Sequence, residues 1–591
     1  MPEQEYRRRI NRWSSEIART DRVHLVLSNL RLATFFAGAV VFWSIFIRNA
    51  ISAWWIVAPI VVFGALAVRH ARVLQRGERS RRARRLYERG LDRIHDRWIG
   101  TGRDGSKYLG SHLYSRDLDL FGRGSLFELL NNARTEIGED TLASWLLAPA
   151  GIDEVLARQA AIAELRPMLD LREDVAVLAD ETVVGATGPL AAWTLTSPQA
   201  FPRALRLVFP ICAAIASALA VAVYQAVIGS EWFLAWVLLA ASFAAIWRKP
   251  IGRVLHGIET PEHDLALLAE LLERVERERF QSPRLIALHT ALMTDGVPPS
   301  RRIAQLRRIV SWVDSTHNLF FAPIAYVLLL RPQLALAINA WHQTHGQAVA
   351  GWLRQVGELE ALSSLAGYSY EHPADPFPLL SVETVHFHAR ALGHPLIAAA
   401  AVVRNDVTLG FGGPQVLVVS GSNMSGKSTL LRAVGVNTVL ALAGATVRAA
   451  SLRLSPVAIG ATLKIEDSLQ EGHSRFYTEI LRIRAIVELT TDGSPVMFLL
   501  DEILHGTNSH DRRIGAEAIV RALVGRGAIG LVTTHDLALT GVTGTLGAAA
   551  ANVHFEDRIE QGKMVFDYEM RPGVVERSNA LELMRAIGLD V

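Results

Sequence analysis

The sequence predicts a mostly α-helical N-terminal region that carries two apolar helical hairpins, followed by an α/β domain. Three observations indicate this fold class. Residues 90–200 and 251–395 contain long stretches in which apolar side chains recur at helical spacing between charges. Long uncharged runs occur in two pairs, one near the N-terminus and one after residue 200. Short apolar runs of the kind that form buried parallel strands are confined to the last third of the chain.

The overall composition indicates several domains and prompts a search for membrane spans. The chain has 591 residues, half of them apolar, and its mean hydropathy is slightly positive, which is high for a soluble protein of this size. The net charge of +3 gives no sign of a nucleic-acid polymer as partner. The single cysteine, Cys212, excludes an intramolecular disulfide and a cysteine-based zinc site, and it fits a reducing compartment.

Four uncharged runs predict two transmembrane hairpins. The spans are expected at about residues 32–47 and 50–68, and at about 207–229 and 232–247. A helix needs roughly 20 residues to cross a bilayer, so the runs of 16 residues are short unless flanking arginines snorkel. Two hairpins buried in the core of a soluble protein are the alternative interpretation.

The distribution of basic residues predicts the orientation of these hairpins. Seven arginines lie between residues 7 and 31, before the first span, and nine lie between residues 69 and 89, after the second. The only charged residue in the turn of the first hairpin is Arg48, and the only one in the turn of the second is Glu231. The positive-inside rule then places both turns outside and the rest of the chain in the cytosol. We therefore expect a multi-pass protein of the cell inner membrane, with anionic lipid as one partner.

The apolar segment Phe320–Leu330 is too short for a fifth span and is expected to form a buried helix.

The positions of the two hairpins divide the sequence into five parts. The predicted divisions are a basic N-terminus with the first hairpin (1–90), a first helical part (91–204), the second hairpin (205–250), a second helical part (251–395) and the C-terminal α/β domain (396–591).

A glycine-rich loop in the C-terminal domain predicts a nucleotide site. The apolar run that ends at Ser420 is followed by the pattern G-x-x-x-x-G-K-S and then by a helical pattern from Thr429. In such a loop backbone amides converge on phosphates, a lysine adds positive charge and a serine hydroxyl ligates Mg²⁺. The predicted ATP-binding residues are Gly421, Ser422, Asn423, Met424, Ser425, Gly426, Lys427, Ser428 and Thr429.

Two later apolar runs end in residues that suit ATP hydrolysis. The run Val496–Leu500 is followed by Asp501, expected to hold Mg²⁺ together with Ser428, and by Glu502, the candidate general base for an attacking water. The run Ile529–Thr534 is followed by His535, which could contact the terminal phosphate. From about Arg404 onward, the chain is therefore predicted to bind and hydrolyse ATP with Mg²⁺.

Together these motifs resemble the ATPase domain of the MutS family of DNA mismatch repair proteins. The loop Ser422–Ser428 is similar to that family's unusual Asn-Met variant, and Asp467–Phe476 resembles its signature loop. Residues 500–507 and 534–540 resemble the family's motifs around the carboxylates and the histidine. Weaker likeness extends over residues 110–200 and 300–395, which resemble the family's helical core, and over the tail from residue 552 to 589.

The resemblance implies an ABC-like ATPase that works as a homodimer. In the family each nucleotide lies between the phosphate loop of one subunit and the signature serine of the other, which implies that Ser474 acts in trans. Asn405 is similar to the family's adenine-contacting asparagine. The chain departs from the family where Arg475 replaces the usual threonine, and it has no Phe-x-Glu motif, so we expect a membrane-anchored branch that lacks the mismatch-recognition domain.

Two functions follow from the sequence, and both stay open at this point. The first is a membrane-anchored ATPase with ATP-dependent DNA binding of the mismatch repair or recombination type. The second is an ABC-like mechanochemical ATPase that acts on the membrane or on a protein partner without DNA.

Overall fold

The computed structural model describes most of the chain. The described residues are 1–48, 50–181, 193, 196–259, 262–293, 296–422, 424–464, 475–504, 507–535, 537–560 and 563–575.

The N-terminal region is mostly helical and precedes a C-terminal α/β region, as the sequence predicts. The helices before the first strand are α1 (Pro2–Phe46), α2 (Val57–Ile94), α3 (Leu126–Leu130), α4 (Glu136–Leu147), α5 (Ile152–Leu165), α6 (Leu169–Glu181), α7 (Leu205–Tyr224), α8 (Ser230–Ile246), α9 (Arg248–Glu259), α10 (Glu262–Glu276), α11 (Pro283–Leu292), α12 (Pro299–Ser315), α13 (Ala322–Val327) and α14 (Leu330–Glu371).

The first apolar pair forms the tip of a long antiparallel hairpin. In α1 and α2 a basic half and an apolar half belong to one continuous helix, and neither helix has a proline beyond its first turn. By length and composition, α1, the stretch Ala53–Ile94 that contains α2, and α7 could each cross a membrane. Only 6% of the most apolar window of each of the first two is buried, so most of these side chains are not covered by the rest of the described chain.

The second pair consists of α7 and α8, which pack against each other through Phe209 and Phe243, with ring centroids 5.9 Å apart. The helix α8 has 17 residues and meets the span criterion only together with α9, from which it is bent by 69°. The bend falls at Trp247, where an apolar helix changes into the basic segment that begins at Arg248. By length and composition alone, the described residues therefore hold three helices that could cross a membrane, or four if α8 and α9 together count as one span.

The basic ends of the first hairpin are fastened to the helical core by buried ion pairs. The Arg93 guanidinium donates two hydrogen bonds of 2.6 Å to Glu371, at the C-terminal end of α14, and Tyr6 donates a third at 3.1 Å. Arg9 contacts Glu173 of α6 at 3.1 Å, and Tyr87 donates to the same carboxylate. Buried charges of this kind are strongly destabilising when one partner is lost, so the hairpin base is tightly held.

A buried carboxylate joins α14 to the N-terminus of α4. Glu360 accepts hydrogen bonds from the backbone amides of Arg134 and Thr135 and from the Thr135 hydroxyl. Thr135 itself caps α4 by accepting from the amide of Gly138. Burial raises the pKa of Glu360 to about 7, although these hydrogen bonds oppose the shift.

The C-terminal region is built on two sheets. Its strands are β1 (Leu379–Leu380), β2 (His386–Leu392), β3 (Asn405–Gly410), β4 (Val416–Ser420), β5 (Ser451–Leu454), β6 (Ala458–Thr462), β7 (Val496–Leu500), β8 (Ile529–Thr534), β9 (Ala550–Glu560) and β10 (Lys563–Pro572), and its main helices are α15 (Lys427–Ala443), α16 (Arg475–Leu489), α17 (Ser509–Gly525) and α18 (Val542–Leu546).

The larger sheet has the order β10-β9-β4-β8-β7-β6, and all its pairs are parallel except the β9–β10 pair. Every residue of β4, β7 and β8 is buried, which explains why these three strands are continuous apolar runs rather than alternating ones. The smaller sheet has the order β1-β5-β2-β3. Its strands β1 and β2 come before residue 396, so strand structure begins earlier in the chain than the predicted division.

The prediction of a buried helix at Phe320–Leu330 is wrong. This segment contains the six-residue helix α13, and Phe320 is 88% exposed, Tyr326 62% and Ile324 52%. Only Ala325 and Leu329 in it are buried. The length of the segment excludes a span but does not determine whether the segment is buried. In the structure it leads into α14 beside the second apolar hairpin.

Candidate nucleotide-binding site

The three predicted motifs meet at one edge of the larger sheet. The strands β4, β8 and β7 are neighbours and run parallel, with Ser420 opposite Thr534 and Leu500 opposite Val532. The carboxyl ends of parallel strands share one edge, so the residues that follow each strand are brought together there. The glycine-rich loop, the Asp501–Glu502 pair and His535 all occupy this edge.

The glycine-rich loop connects β4 to α15 and needs glycine at two positions. Gly421 has φ of +148° and Gly426 has φ of +107°, a region that favours glycine. A Cβ on Gly421 would lie 2.9 Å from the Ser425 hydroxyl, and one on Gly426 would lie 3.1 Å from the Tyr568 ring. The α15 helix starts at Lys427, directly after the loop, so its N-terminal amides point toward the cleft.

The Lys427 ammonium is buried in this loop with only 4% of its side chain exposed. It donates hydrogen bonds to the carbonyls of Gly421 at 2.8 Å and Ser422 at 2.7 Å, and it lies 3.8 Å from the Glu502 carboxylate. Burial lowers the pKa of Lys427, and the charges of Glu502 and Asp501 oppose that shift. A cation held in this way is available to an anion that enters the cleft.

One hydroxyl on β8 fixes both carboxylate residues. Thr533, which is fully buried, donates from its Oγ1 to Asp501 Oδ1 and accepts from the backbone amide of Glu502 at 3.0 Å. Glu502 has φ of +44°, a left-handed conformation that is strained for a residue with a side chain. The hydrogen bond to Thr533 therefore holds Glu502 in a conformation that it would not adopt alone.

The Glu502 carboxylate lies between two groups that can carry positive charge. Its Oε1 is 3.8 Å from Lys427 Nζ and 3.6 Å from His535 Nδ1. Its side chain is about one quarter exposed and that of His535 less than half. This position leaves the carboxylate accessible to water while its negative charge is balanced, which suits a group that accepts a proton.

The loop and the carboxylates line a cleft of about 640 Å³, a size typical of small-molecule sites. Its lining combines loop residues and carboxylates with apolar side chains. The loop residues and carboxylates are Met424, Gly426, Lys427, Ser428, Thr429, Asp501 and Glu502, and the apolar residues include Leu392, Ile397, Ala401, Val402 and Val403. A lining with both polar groups and apolar side chains suits a nucleotide, which has charged phosphates and a flat base.

Asn405 lines the same cleft, at the edge where β3 meets β10. Its amide donates to the carbonyl of Tyr568 at 3.0 Å and accepts from the backbone amide of Met570 at 2.7 Å. Both ends of the amide group thus tie β3 to β10. The structure therefore shows that Asn405 shapes the wall of the cleft, and its contact to adenine stays a prediction from the resemblance.

The donor set of the loop fits ATP and Mg²⁺. The hydroxyl oxygens of Ser422 and Ser425 are buried and have no hydrogen-bond partner among the described residues. Ser428 and Asp501 offer a hydroxyl and a carboxylate on one cleft, which are the oxygen ligands that Mg²⁺ prefers. When bound, Mg²⁺ would be held by these two residues and would neutralise charge on the phosphates.

Some predicted residues lie outside the part of the chain that the structure describes. They are Asn423 in the glycine-rich loop and residues 465–474, which include the candidate signature serine Ser474. Gly506 in the loop after the carboxylates and the tail from residue 576 onward are also among them.

Sequence reasoning missed several residues that form the site. Thr533 could have been noticed as a polar residue in a strand predicted to be buried. Tyr568 lies far along the chain and gives no local signal. His394 also lines the cleft, and burial lowers its pKa to about 4, so it contributes a neutral ring there. Glu479 of α16 accepts from the amide of Leu504 at 2.5 Å and supports the segment after Glu502.

The geometry defines a class of site: a glycine-rich loop at a helix N-terminus, facing carboxylates at the end of a neighbouring parallel strand, which suits binding and hydrolysis of a nucleoside triphosphate. Residues 417–590 match the family model of MutS domain V. The loop, the carboxylate pair and the histidine all fall within or beside the matched range.

Known proteins with similar sequences carry MutS names. The chain is 31% identical over 43% of its length to a DNA mismatch repair protein MutS of Brevibacillus brevis, and 27% identical over 80% of its length to one of Thermus aquaticus. It is 35% identical over 33% of its length to an endonuclease MutS2 of Thermus thermophilus. The matched parts span 30%, 60% and 25% of these three relatives. Together with the domain match, these similarities support a MutS-family relationship.

Proposed function

We propose that this chain is a membrane-anchored MutS-like ATPase that hydrolyses ATP at composite dimer sites and binds DNA in an ATP-dependent manner. The observation that carries the proposal is the convergence of Lys427, Asp501 and Glu502 on one cleft within a region that matches MutS domain V. The relatives that share this region are named for DNA mismatch repair. The mismatch repair type of DNA binding is carried over from the names of those relatives, and the recombination type from the sequence resemblance.

Each side chain has a distinct role in this proposal. Lys427 and the loop amides bind the phosphates, and Ser428 and Asp501 hold Mg²⁺. Glu502 accepts a proton from the attacking water, and its Oε1 lies near His535, which contacts the terminal phosphate. Asn405 contacts the base, and Ser474 of a second subunit completes the site.

The trans role of Ser474 can be tested by mixing subunits. Neither Ser474→Ala nor Lys427→Ala homodimers should hydrolyse ATP, but a mixture should recover part of the activity, because mixed dimers contain one intact composite site. The ATPase rate of the mixture is measured against the two parents at equal total protein. A mixture as inactive as either parent would count against sharing of the site.

Membrane anchoring is the second part of the proposal. Three or four described helices have the length and composition of spans, and their apolar windows are little covered by protein. Arginines flank both hairpins at the ends that join the helical core. We infer a multi-pass protein of the inner membrane, with its ATPase region in the cytoplasm and anionic lipid at the hairpin bases.

A specific connection supports a second candidate function, a mechanochemical ATPase that acts on the membrane or a partner without DNA. The first hairpin is joined to α14 by the Arg93–Glu371 pair. Just beyond α14, Asp375 contacts Arg448 at 3.3 Å, and the backbone amide of Arg448 donates to Asn437 of α15 at 2.7 Å. A buried polar path thus links the hairpin to the helix that starts at the glycine-rich loop.

A DNA titration distinguishes the two functions. The purified protein in nanodiscs is titrated with labelled duplex at 50 to 200 mM salt, with ATP, with ADP and without nucleotide. DNA binding through about six phosphate contacts should weaken by about 10³-fold over this range. Lys427→Ala is the matched control, since it should remove the effect of ATP and leave the chain folded. No binding at 50 mM salt, with ATPase activity stimulated by lipid, would favour the mechanochemical function.

A further inference from the structure

Residues 312–328 expose an unusual amount of apolar surface outside the predicted spans. Leu319 is 83% exposed and Phe320 88%, and Trp312, Ile324 and Tyr326 are each more than half exposed. Soluble proteins rarely leave contiguous apolar patches of this size uncovered. From Ser315 to Leu330 the sequence has no aspartate, glutamate, lysine or arginine.

The position of this surface is set by the start of α14. Leu329 and Leu336 pack in one cluster with Phe209 of α7 and Ala240 of α8, which are residues of the second apolar hairpin. Further along α14, Asn339 exchanges two hydrogen bonds of 2.9 Å with the backbone of Gln199. Gln199 precedes α7 in the chain, so this polar contact lies at the base of the second hairpin. With a rise of 1.5 Å per residue, Leu329 lies about 15 Å from Asn339, toward the apolar hairpin.

Several backbone amides of the segment are hydrogen-bonded within it, which favours contact with lipid. The amides of Phe321 and Ala322 donate to the backbone carbonyl of Asn318, and the amide of Phe320 donates to the side-chain oxygen of Asn318. The amides of Leu328 and Leu329 donate to carbonyls within α13. Unsatisfied backbone groups are costly in a bilayer, so this pattern permits shallow insertion.

Basic residues flank the segment on both sides. Arg307 and Arg308 of α12 and Arg331 at the start of α14 are exposed. Aromatic rings and arginines at the two ends of an apolar patch are the pattern of a protein surface that lies in the interfacial layer of an anionic membrane. The charge pattern therefore favours a lipid surface as the occupant over a second protein chain.

We propose that residues 318–328 insert into the cytoplasmic leaflet as a third membrane contact, beside the second hairpin and without crossing the bilayer. This inference rests on the proposed membrane anchoring. In this arrangement the N-terminal end of α14, at Leu330, contacts the bilayer. Its C-terminal end, at Glu371, is bonded to the first hairpin through Arg93. The apolar segment would then set the height of the helical core above the membrane.

Site-directed spin labelling tests this contact. In a Cys212→Ala background, single cysteines replace Phe320, Val61 in the first hairpin, and Thr491 at the surface of the ATPase region. Each labelled protein is placed in nanodiscs containing phosphatidylglycerol, and accessibility to oxygen and to a water-soluble nickel chelate is compared. Thr491→Cys, at an exposed site, provides the aqueous reference.

The expected result is oxygen accessibility at Val61 and Phe320, and nickel accessibility at Thr491. Nickel accessibility at Phe320 with oxygen accessibility at Val61 would overturn the inference and leave the anchor intact. Low accessibility to both reagents at Phe320 would also overturn it, because a second protein chain would then cover the segment. Nickel accessibility at Val61 would overturn the membrane anchoring and this inference with it. Ile324→Cys repeats the test at a second exposed position if Phe320→Cys fails to fold.

Discussion

Replacing Thr533 with valine is the sharpest test of how the site is held together. The substitution keeps the branched shape in a fully buried strand and removes one hydroxyl. The amide of Glu502 then loses its acceptor at 3.0 Å, and the Asp501 carboxylate loses a donor. An unsatisfied amide costs about 1–3 kcal/mol, and a hydrogen bond to a charged group contributes about 1.5–3 kcal/mol.

This free energy should appear in turnover rather than in nucleotide affinity. Glu502 is held at φ of +44° partly by this hydrogen bond, so its carboxylate should move from its working position. A loss of roughly 1.4–2.8 kcal/mol in the transition state corresponds to about a 10- to 100-fold fall in kcat. ATP affinity should change little, because the glycine-rich loop and Lys427 keep their contacts.

The assay is steady-state ATP hydrolysis over a range of Mg²⁺ concentrations, with equilibrium ATP binding measured in parallel. Thr533→Ser is the matched control, since it retains the hydroxyl and should keep kcat within about threefold of the wild type. Wild-type turnover in a folded Thr533→Val protein would refute the positioning role. Equal impairment of the serine and valine variants would show that the hydroxyl alone does not set turnover, because the serine variant retains it.

Three further predictions follow from buried charges. Lys427→Ala should lower ATP affinity by at least about tenfold in an equilibrium binding assay, because the buried cation that faces the phosphates is removed. The pKa of Glu360 in the folded protein, about 7, exceeds the ordinary value of 4.5. The wild type therefore loses part of its free energy of unfolding as pH rises from 5 to 8, whereas Glu360→Gln does not. The stability of Glu360→Gln relative to the wild type should rise by about 2–3 kcal/mol over this range. In a double-mutant cycle monitored by thermal unfolding, Arg93→Met and Glu371→Gln should each destabilise by about 3–5 kcal/mol, and the double variant by less than their sum.

The control for Glu360→Gln is the same substitution at an exposed glutamate. Glu488→Gln, in an exposed pair with Arg484, reports the effect of the substitution itself without burial. A constant difference between Glu360→Gln and the wild type from about pH 5 to pH 8 would contradict the buried carboxyl. Additive effects of Arg93→Met and Glu371→Gln would mean that the two side chains do not interact, and an unchanged ATP affinity in Lys427→Ala would place the phosphates elsewhere.

The sheet edge that holds the glycine-rich loop, Asp501, Glu502 and His535 could be predicted from sequence because its signals are local. The runs that end at Ser420, Leu500 and Thr534 are fully buried strands, and each places its chemistry in the next few residues. A parallel sheet then brings the three ends together without further information. Asp501 and Glu502 could be predicted as site residues because they directly follow the buried strand that ends at Leu500.

Other features depend on contacts between distant parts of the chain. Thr533 acts through a neighbouring strand, and Tyr568 reaches Gly426 from the far end of the domain. The exposed segment around Phe320 was predicted to be buried because a short apolar run usually is. Its exposure follows from its place beside the second hairpin, which only the packing of Leu329 and Leu336 shows.

The most direct test of the central claim is ATP turnover by Glu502→Gln and the wild type, both in nanodiscs, with ATP binding measured on the same samples. The account predicts Mg²⁺-dependent hydrolysis by the wild type. In Glu502→Gln it predicts ATP binding of near-normal affinity and turnover reduced by about 10²-fold or more, because the proton acceptor is gone. Fast hydrolysis by Glu502→Gln, or wild-type protein that binds no ATP, would contradict it.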